Sequence, residues 1–285
     1  MAECITNKEI LQWAITELGS EKRMEAELLL CHVLATNRAL LLAHDTDCIS
    51  EEKAEAFRAL ILRRKANEPF QYLLGSANFM GLDLLLSPDV LIPRFDTERL
   101  VEKSLELLTD QQAPVVLDIC TGSGAIAIAI SHYKPNAAVY AGDISEQALQ
   151  IAGENNRRCN TTVIFRQGDL TAPFADLQGK VDLLTSNPPY ITTEEMLELP
   201  LDVQQEPHLA LWGGDDGLQF YRALVADAPK LLKDKGHLVF EIGWKQGEAV
   251  KQLMQQKGFC NVAVIQDWQG NDRVVIGQFF NNNEE

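Results

Sequence analysis

The chain is short of basic residues. Against 41 Asp and Glu it carries 25 Lys and Arg, a formal charge of −16, and the deficit is spread along the chain rather than confined to one half. A duplex-binding surface is normally a Lys- and Arg-rich patch that releases counterions on binding, so this balance speaks against nucleic acid as a partner. No apolar run approaches the roughly 18 residues of a membrane span, and the opening MAECITNKEI has no basic segment leading into an apolar core. The expectation is a cytoplasmic protein with no membrane partner. None of the six cysteines (Cys4, Cys31, Cys48, Cys120, Cys159, Cys260) forms a C-x-x-C pair. That scatter suits reduced thiols better than a disulfide framework and gives no expectation of a metal site. No internal repeat is visible.

What is present is an ordinary globular composition: 285 residues, 46% hydrophobic and 23% charged, enough for one large domain or, more comfortably, two. Residues 7 to 66 place apolar side chains at helical spacing, as in Ile10, Trp13, Ala14 and Leu18, then Ala26, Leu29, Leu30, Val33 and Leu34. Between Gly75 and Pro93 the period changes; Leu82, Leu84 and Leu86 alternate along a short stretch, which predicts a β-hairpin linker. From Val115 onward short continuous apolar runs (115–119, 137–142, 162–167, 181–186, 237–242) alternate with helical segments at 124–133, 145–158, 216–233 and 245–257. Buried parallel strands read this way, so the second half is expected to be a doubly wound α/β sheet whose ligands bind at the carboxyl ends of the strands. The final runs, on either side of Gly270-Asn271-Asp272, fit an antiparallel pair that ends the sheet. The expected division is a helical domain at 1–74, a hairpin linker at 75–93 and an α/β domain at 94–285.

Two constellations carry chemistry. The first, Asp118-Ile119-Cys120-Thr121-Gly122-Ser123-Gly124, lies where the first α/β strand turns into a helix; glycines there let the backbone turn sharply and approach a ligand. Asp143 ends the next strand, 19 residues after Gly124, where a carboxylate can accept from both hydroxyls of a ribose; as a plain structural residue it would cap the following helix. Asp169-Leu170, after the third strand, could flank an adenine or simply turn a loop. NAD and S-adenosylmethionine both fit these features. The second constellation is Asn187-Pro188-Pro189-Tyr190, directly after the fourth strand. Two prolines stiffen the loop and leave carbonyls as acceptors. The Asn187 side chain and the Pro188 carbonyl can together accept both hydrogens of one planar NH2 group while Tyr190 packs on its face. Such a nitrogen has a delocalised lone pair, so orientation matters more than early removal of a proton.

With these residues in place the chain resembles class I, S-adenosylmethionine-dependent methyltransferases, and specifically the PrmC/HemK family of release factor glutamine methyltransferases. The resemblance also rests on Leu91-Ile92-Pro93-Arg94, Asp96-Thr97-Glu98, Gln205-Glu206-Pro207, Ala210-Leu211, the run from Gly213 to Leu218, Glu241-Ile242-Gly243 with Gln246-Gly247, and Gly270 to Arg273. It implies a seven-stranded Rossmann-like methyltransferase domain behind a helical bundle that docks the substrate. It also implies transfer of a methyl group from S-adenosyl-L-methionine, with S-adenosyl-L-homocysteine as product, to the glutamine of the Gly-Gly-Gln motif of class I peptide chain release factors in translation termination. By that resemblance Asp118 and Cys120 to Gly124 cradle the methionine part, Asp143 holds the ribose, and Asp169-Leu170 lie against the adenine. Asn187 to Tyr190 bind the substrate glutamine, with Asn187 also near the cofactor; Asn187, Pro188 and Tyr190 are the catalytic candidates. Three positions depart from the family pattern: Phe95 where proline is usual, Cys120 where glycine is frequent, and Leu170 where a larger aromatic can stand.

Other readings bear on the same residues. An adenine exocyclic amine of DNA would fit the same clamp after base flipping, against which stands the acidic balance. A different protein glutamine would need the same motifs, and a protein that binds the cofactor without catalysis would keep the fold. Cys120 lacks a neighbouring His that would make it a nucleophile, and Glu206 and Glu241 read as structural or substrate-docking acids rather than bases. A monomer is the default expectation.

Overall fold

The computed structural model describes residues 4–281. It divides into two compact units, one comprising the chain up to Gly75 with Pro200–Gln205, the other Ser76–Leu199 with Glu206 onward.

The first unit is helical. Helices span Asn7–Leu18, Arg23–Leu34, Arg38–Ala43, Glu51–Lys65 and Phe70–Leu74, and three of them begin at a side-chain cap. Thr6 accepts from the Glu9 amide while the Glu9 side chain reaches back, and the Asn37 and Ser50 side chains cap the third and fourth helices by accepting from the Leu40 and Lys53 amides. Ile10, Ala14, Ala26, Leu29, Leu30, Phe57 and Ile61 meet in one core. The buried Glu27 is held by Arg23 and Arg38. Asp202 pairs with Arg64, and the Gln205 amide donates to the Ala66 carbonyl, which attaches the 200–205 segment to this unit. The expectation of reduced thiols throughout is corrected at one pair: Cys4 and Cys48 are joined by a disulfide. Residues 44 apart in sequence meet because the chain returns antiparallel at Thr6 and Cys48, a contact that spacing alone does not reveal.

The second unit opens with a hairpin, β1 (Ser76–Phe79) and β2 (Leu82–Leu85), whose Phe79, Leu82 and Leu84 are buried among side chains of the same unit. The main sheet is formed by β3 (Val115–Ile119), β4 (Ala138–Asp143), β5 (Ile164–Gln167), β6 (Val181–Ser186), β7 (Leu232–Glu241), β8 (Cys260–Gln266) and β9 (Asp272–Gln278), in the spatial order β5-β4-β3-β6-β7-β9-β8. Five neighbouring strands pair in parallel, and β9 is antiparallel to both β7 and β8, so β8 runs in the same direction as those five. Successive residues feed opposite faces. Val116, Leu183 and Val239 join a core with the helices Glu98–Leu107 and Ala125–Tyr133, whereas Leu117, Leu184 and Phe240 join one with Gln219–Leu231 and Gly247–Gln256. Both faces are covered, which is why the strands read as continuous apolar runs. The doubly wound seven-stranded class is therefore as expected. One boundary differs: the strand expected to begin at His237 begins at Leu232, with its register shifted between Val181 and Leu183 of the neighbouring strand. The polar stretch Lys233-Asp234-Lys235-Gly236 carries no apolar period, so nothing in the sequence marks it as strand.

Chain order runs outward from β3 to β5, then returns to β6 and runs the other way. The crevice between the carboxyl ends of β3 and β6 is thus the topological switch point, the place where doubly wound sheets bind ligands.

Candidate active site

The first loop of the site is built around a buried carboxylate. Asp118, the penultimate residue of β3, has no exposure to solvent and accepts from the hydroxyls of Thr121 (2.6 Å) and Thr185 (2.8 Å). It thereby ties the loop after β3 to β6. Burial pushes its carboxyl up to about 7 despite those two donors. Beyond it, Cys120, Gly122 and Gly124 all take positive φ (61°, 54° and 82°), a winding in which the Thr121 amide donates to the Gly142 carbonyl and the Gly124 amide to the Thr121 carbonyl. The two glycines differ in their surroundings. A Cβ on Gly122 would meet nothing within 4 Å, whereas one on Gly124 would stand 2.8 Å from Ile128 Cδ1 and 3.2 Å from Ala152 Cβ. Gly122 faces open space, and Gly124 lets two helices close together.

Asp143, the last residue of β4, holds this loop across the strand ends. Its carboxylate accepts from the Gly122 amide (2.8 Å) and from the Ser145 amide (3.0 Å). Capping of the following helix falls to Ser145, whose hydroxyl accepts from the Ala148 amide. Burial pushes the Asp143 carboxyl up. Burial, with Asp143 adding to it, pushes the Cys120 thiol well up, so at neutral pH it is a thiol and no nucleophile. The third contribution comes after β5, where the Gly168 amide donates to the Asp143 carbonyl and Leu170 takes a positive φ of 44°.

The Asn187–Tyr190 loop leaves β6 with its start fixed by the Ser186 hydroxyl donating to the Ile119 carbonyl (2.6 Å). Its far end is held by one side chain: the Gln246 amide donates to the carbonyls of Tyr190 (3.0 Å) and Gly217 (3.2 Å) and accepts from the Gly243 amide (3.0 Å). Gly213 also lies against it, so close that a Cβ there would stand 2.6 Å from Tyr190 Cα.

These loops enclose a cavity of 480 Å³ at the switch point, within the roughly 300–1,000 Å³ of small-molecule sites. Of the residues expected from sequence, Cys120, Gly122, Asp143, Asp169, Leu170, Asn187 and Pro189 line it. Asp118, Thr121, Ser123 and Gly124 stand behind that lining, Pro188 lies in the chain between its members Asn187 and Pro189, and Tyr190 lines a second cavity of 550 Å³ beside Trp244 and Gln246. Val90, His208, Trp212 and Phe220, to which no sequence pattern assigns a role, are also part of the wall. Only the adjacency of His208 and Trp212 to Gln205-Glu206-Pro207 could have signalled them. The segment before β3 reaches the site because Glu206 accepts from the Ile92 amide (3.0 Å) and pairs with Arg94.

The lining carries three carboxylates, Asp89, Asp143 and Asp169, and neither Lys nor Arg. A dinucleotide pyrophosphate would be repelled there, whereas a sulfonium and an α-ammonium group would be attracted. The residues present therefore fit S-adenosylmethionine and disfavour NAD, the two ligands that the glycine loop by itself leaves open.

Comparison with known proteins agrees with this geometry. A family model described as the PrmC N-terminal domain matches residues 9–75, and one described as the methyltransferase small domain matches residues 99–201. The chain is 46% identical over 279 residues to the release factor glutamine methyltransferase of Moorella thermoacetica, covering 95% of this chain and 98% of that protein. It is 40% identical over 284 residues to the protein of the same name from Bacillus subtilis, covering 96% and 98%. A methyltransferase structure from Pyrococcus furiosus matches with a TM-score of 0.50 at 21% identity, over 79% of this chain and 98% of that one, a likeness of fold.

Proposed function

This chain belongs to the release factor glutamine methyltransferase family, and from that premise we propose that it transfers a methyl group from S-adenosyl-L-methionine to the side-chain amide nitrogen of the Gly-Gly-Gln glutamine of class I peptide chain release factors. The observation that carries the reading is the Asn187 loop opening into an acidic cavity free of Lys and Arg. Bound there, S-adenosylmethionine supplies an electrophilic methyl group on a sulfonium.

The chain's own residues do the rest by position. Asp143 holds the ribose, Gly122 and its neighbours give the methionine part a close backbone approach, and Asp169 with Leu170 flanks the adenine. Asn187 Oδ1 and the Pro188 carbonyl accept from the two hydrogens of the glutamine NH2, which aims the nitrogen and favours the positive charge that grows on it. The transfer would balance as one nitrogen–carbon bond made for one carbon–sulfur bond broken, with S-adenosylhomocysteine as the leaving group and one proton of the nitrogen lost to water. No base of unusual strength is required, because the proton becomes acidic only as the bond forms. Tyr190 packs behind the loop and stiffens it; burial pushes its hydroxyl well up, so it stays neutral.

In this reading residues 1–74 dock the release factor, 75–93 form the connecting hairpin and 94–285 carry the chemistry, in the cytoplasm. The test is transfer of labelled methyl to a purified class I release factor, beside a release factor whose Gly-Gly-Gln glutamine is replaced and a duplex DNA control. Label on the unaltered release factor alone is the expected outcome; label on DNA, or on the altered factor, overturns the substrate. Asn187→Ala should bind S-adenosylhomocysteine within a few-fold of the parent and lose methyl transfer by about 10²–10³, as when one aimed hydrogen-bonding group is removed; unchanged transfer would refute the role given to Asn187.

A further inference from the structure

β6 and β7 run parallel, and Ser186 opposite Phe240 is the last registered pair. Asn187 and Glu241, the next residue of each chain segment, are therefore neighbours at the carboxyl end of the sheet, where Glu241 is still paired with Val274 of β9. Asn187 lines the cavity. Glu241 does not: it is 1% exposed, and its Oε2 makes no hydrogen bond. Thr97 Oγ1, also buried, makes no hydrogen bond either; the Thr97 hydroxyl and the Asn187 amide are the side-chain donors close enough to favour the charged form of the carboxyl. The charged and titratable groups that face it are Arg273 from β9, Asp96 from the turn Phe95–Thr97, Tyr190 from the loop and Tyr221 from the helix Gln219–Leu231.

A buried carboxyl oxygen without a partner is costly, and the backbone here does not depend on it. The Glu241 carbonyl already accepts from the Tyr221 hydroxyl (2.9 Å), and the Ile242 amide donates to the Arg273 carbonyl (2.9 Å). The side chain is thus not what satisfies the strand end.

We propose that Glu241 is a positioning residue: its carboxylate holds the Asn187 amide by the NH2 group, so that the Asn187 oxygen faces the cavity. The argument rests on what each group can do. An asparagine amide has nearly the same shape when rotated by half a turn, so packing does not choose between its two orientations. An ionised carboxylate can only accept, and it chooses. With the opposite orientation, the Asn187 NH2 would confront the NH2 of the substrate, donor against donor. The inference rests on the reading of Asn187 given above and adds the residue that orients it.

Glu241→Gln keeps the size of the side chain and removes the choice, since its head group both donates and accepts. The expected result, in the full-length protein acting on a release factor, is a fall in kcat on the order of tenfold, the loss of one orienting hydrogen bond to a charged group, with S-adenosylhomocysteine affinity and melting temperature close to the parent. Burial holds the Glu241 carboxyl up at about 7. The orienting form is the charged one, so kcat of the parent should rise with pH through that region, and Glu241→Gln should lack that rise. Glu241→Asp, still acceptor-only, should keep it. Parental kcat in Glu241→Gln, or an unchanged pH profile, overturns the inference. If Glu241→Gln does not fold, the Glu241→Asp profile decides: loss of the rise overturns the inference. A parent protein that binds S-adenosylhomocysteine but methylates no release factor would instead refute the proposed function, a different result from any of these.

Discussion

Gly122 and Gly124 are two residues apart in one loop, and the structure assigns them opposite consequences on mutation. Both have positive φ, so alanine at either position costs about 1–2 kcal/mol of left-handed strain. At Gly122 that is the whole stability cost, because the added methyl meets no protein atom within 4 Å. At Gly124 the methyl would press on Ile128 Cδ1 and Ala152 Cβ at 2.8 and 3.2 Å, and overpacking of a closed helix contact adds about 1–3 kcal/mol. Gly124→Ala should therefore lose about 2–5 kcal/mol in all, against about 1–2 for Gly122→Ala. At about 2–4 °C per kcal/mol for a unit of this size, the first should lower Tm by roughly 10 °C and the second by only a few degrees. Ligand affinity should run the other way. The Gly122 methyl enters the cavity, and displacing a cofactor from close backbone contact costs about 1–3 kcal/mol, on the order of 5- to 150-fold in Kd. Gly124 stands behind the lining, and its variant should bind within a few-fold below its melting range. Differential scanning calorimetry and calorimetric titration with S-adenosylhomocysteine measure both. Full affinity in Gly122→Ala, or lost affinity without lost stability in Gly124→Ala, would refute the placement of the cofactor against this loop.

Cys120→Ala should keep methyl transfer within a few-fold of the parent, since burial and Asp143 hold the thiol neutral; rapid alkylation of Cys120 at pH 7 would contradict this. Asp118 has its carboxyl raised from the usual range to about 7, so in the folded state it binds a proton that the unfolded chain releases near pH 4. Its contribution to stability is therefore largest below that pH and declines as the pH rises toward 7. Asp118→Asn should become more stable relative to the parent between pH 5 and pH 8, by at most about 4 kcal/mol at 1.36 kcal/mol per pKa unit, in urea unfolding series; a difference that does not change with pH would show that the carboxyl titrates normally. The acidic chain should dock a basic release-factor surface, so the association rate should fall as salt rises; a rate indifferent to salt would remove electrostatics from recognition.

Much of the site was legible because its residues sit at strand ends, and strand ends are visible in the sequence as the places where apolar runs stop. Asp143, Asp169 and Asn187 each follow such a run, and all three line one cavity. Tyr190, the last residue of the motif, lines the neighbouring cavity, and its carbonyl accepts from the Gln246 side chain. His208 and Trp212 lie on a short helix, His208–Leu211 and its cap, too brief to leave a period, so no pattern marks them.

The sequence by itself determined the doubly wound sheet, the glycine loop, the acidic balance and the Asn-Pro-Pro-Tyr motif, because periodicity, backbone freedom and charge are properties of adjacent residues. Tertiary structure alone decided that the cavity wall carries three carboxylates and no cation, that Cys4 meets Cys48, and that Glu241 stands beside Asn187. Each of those facts depends on residues brought together from distant segments by strand order and register, and no local pattern encodes that proximity.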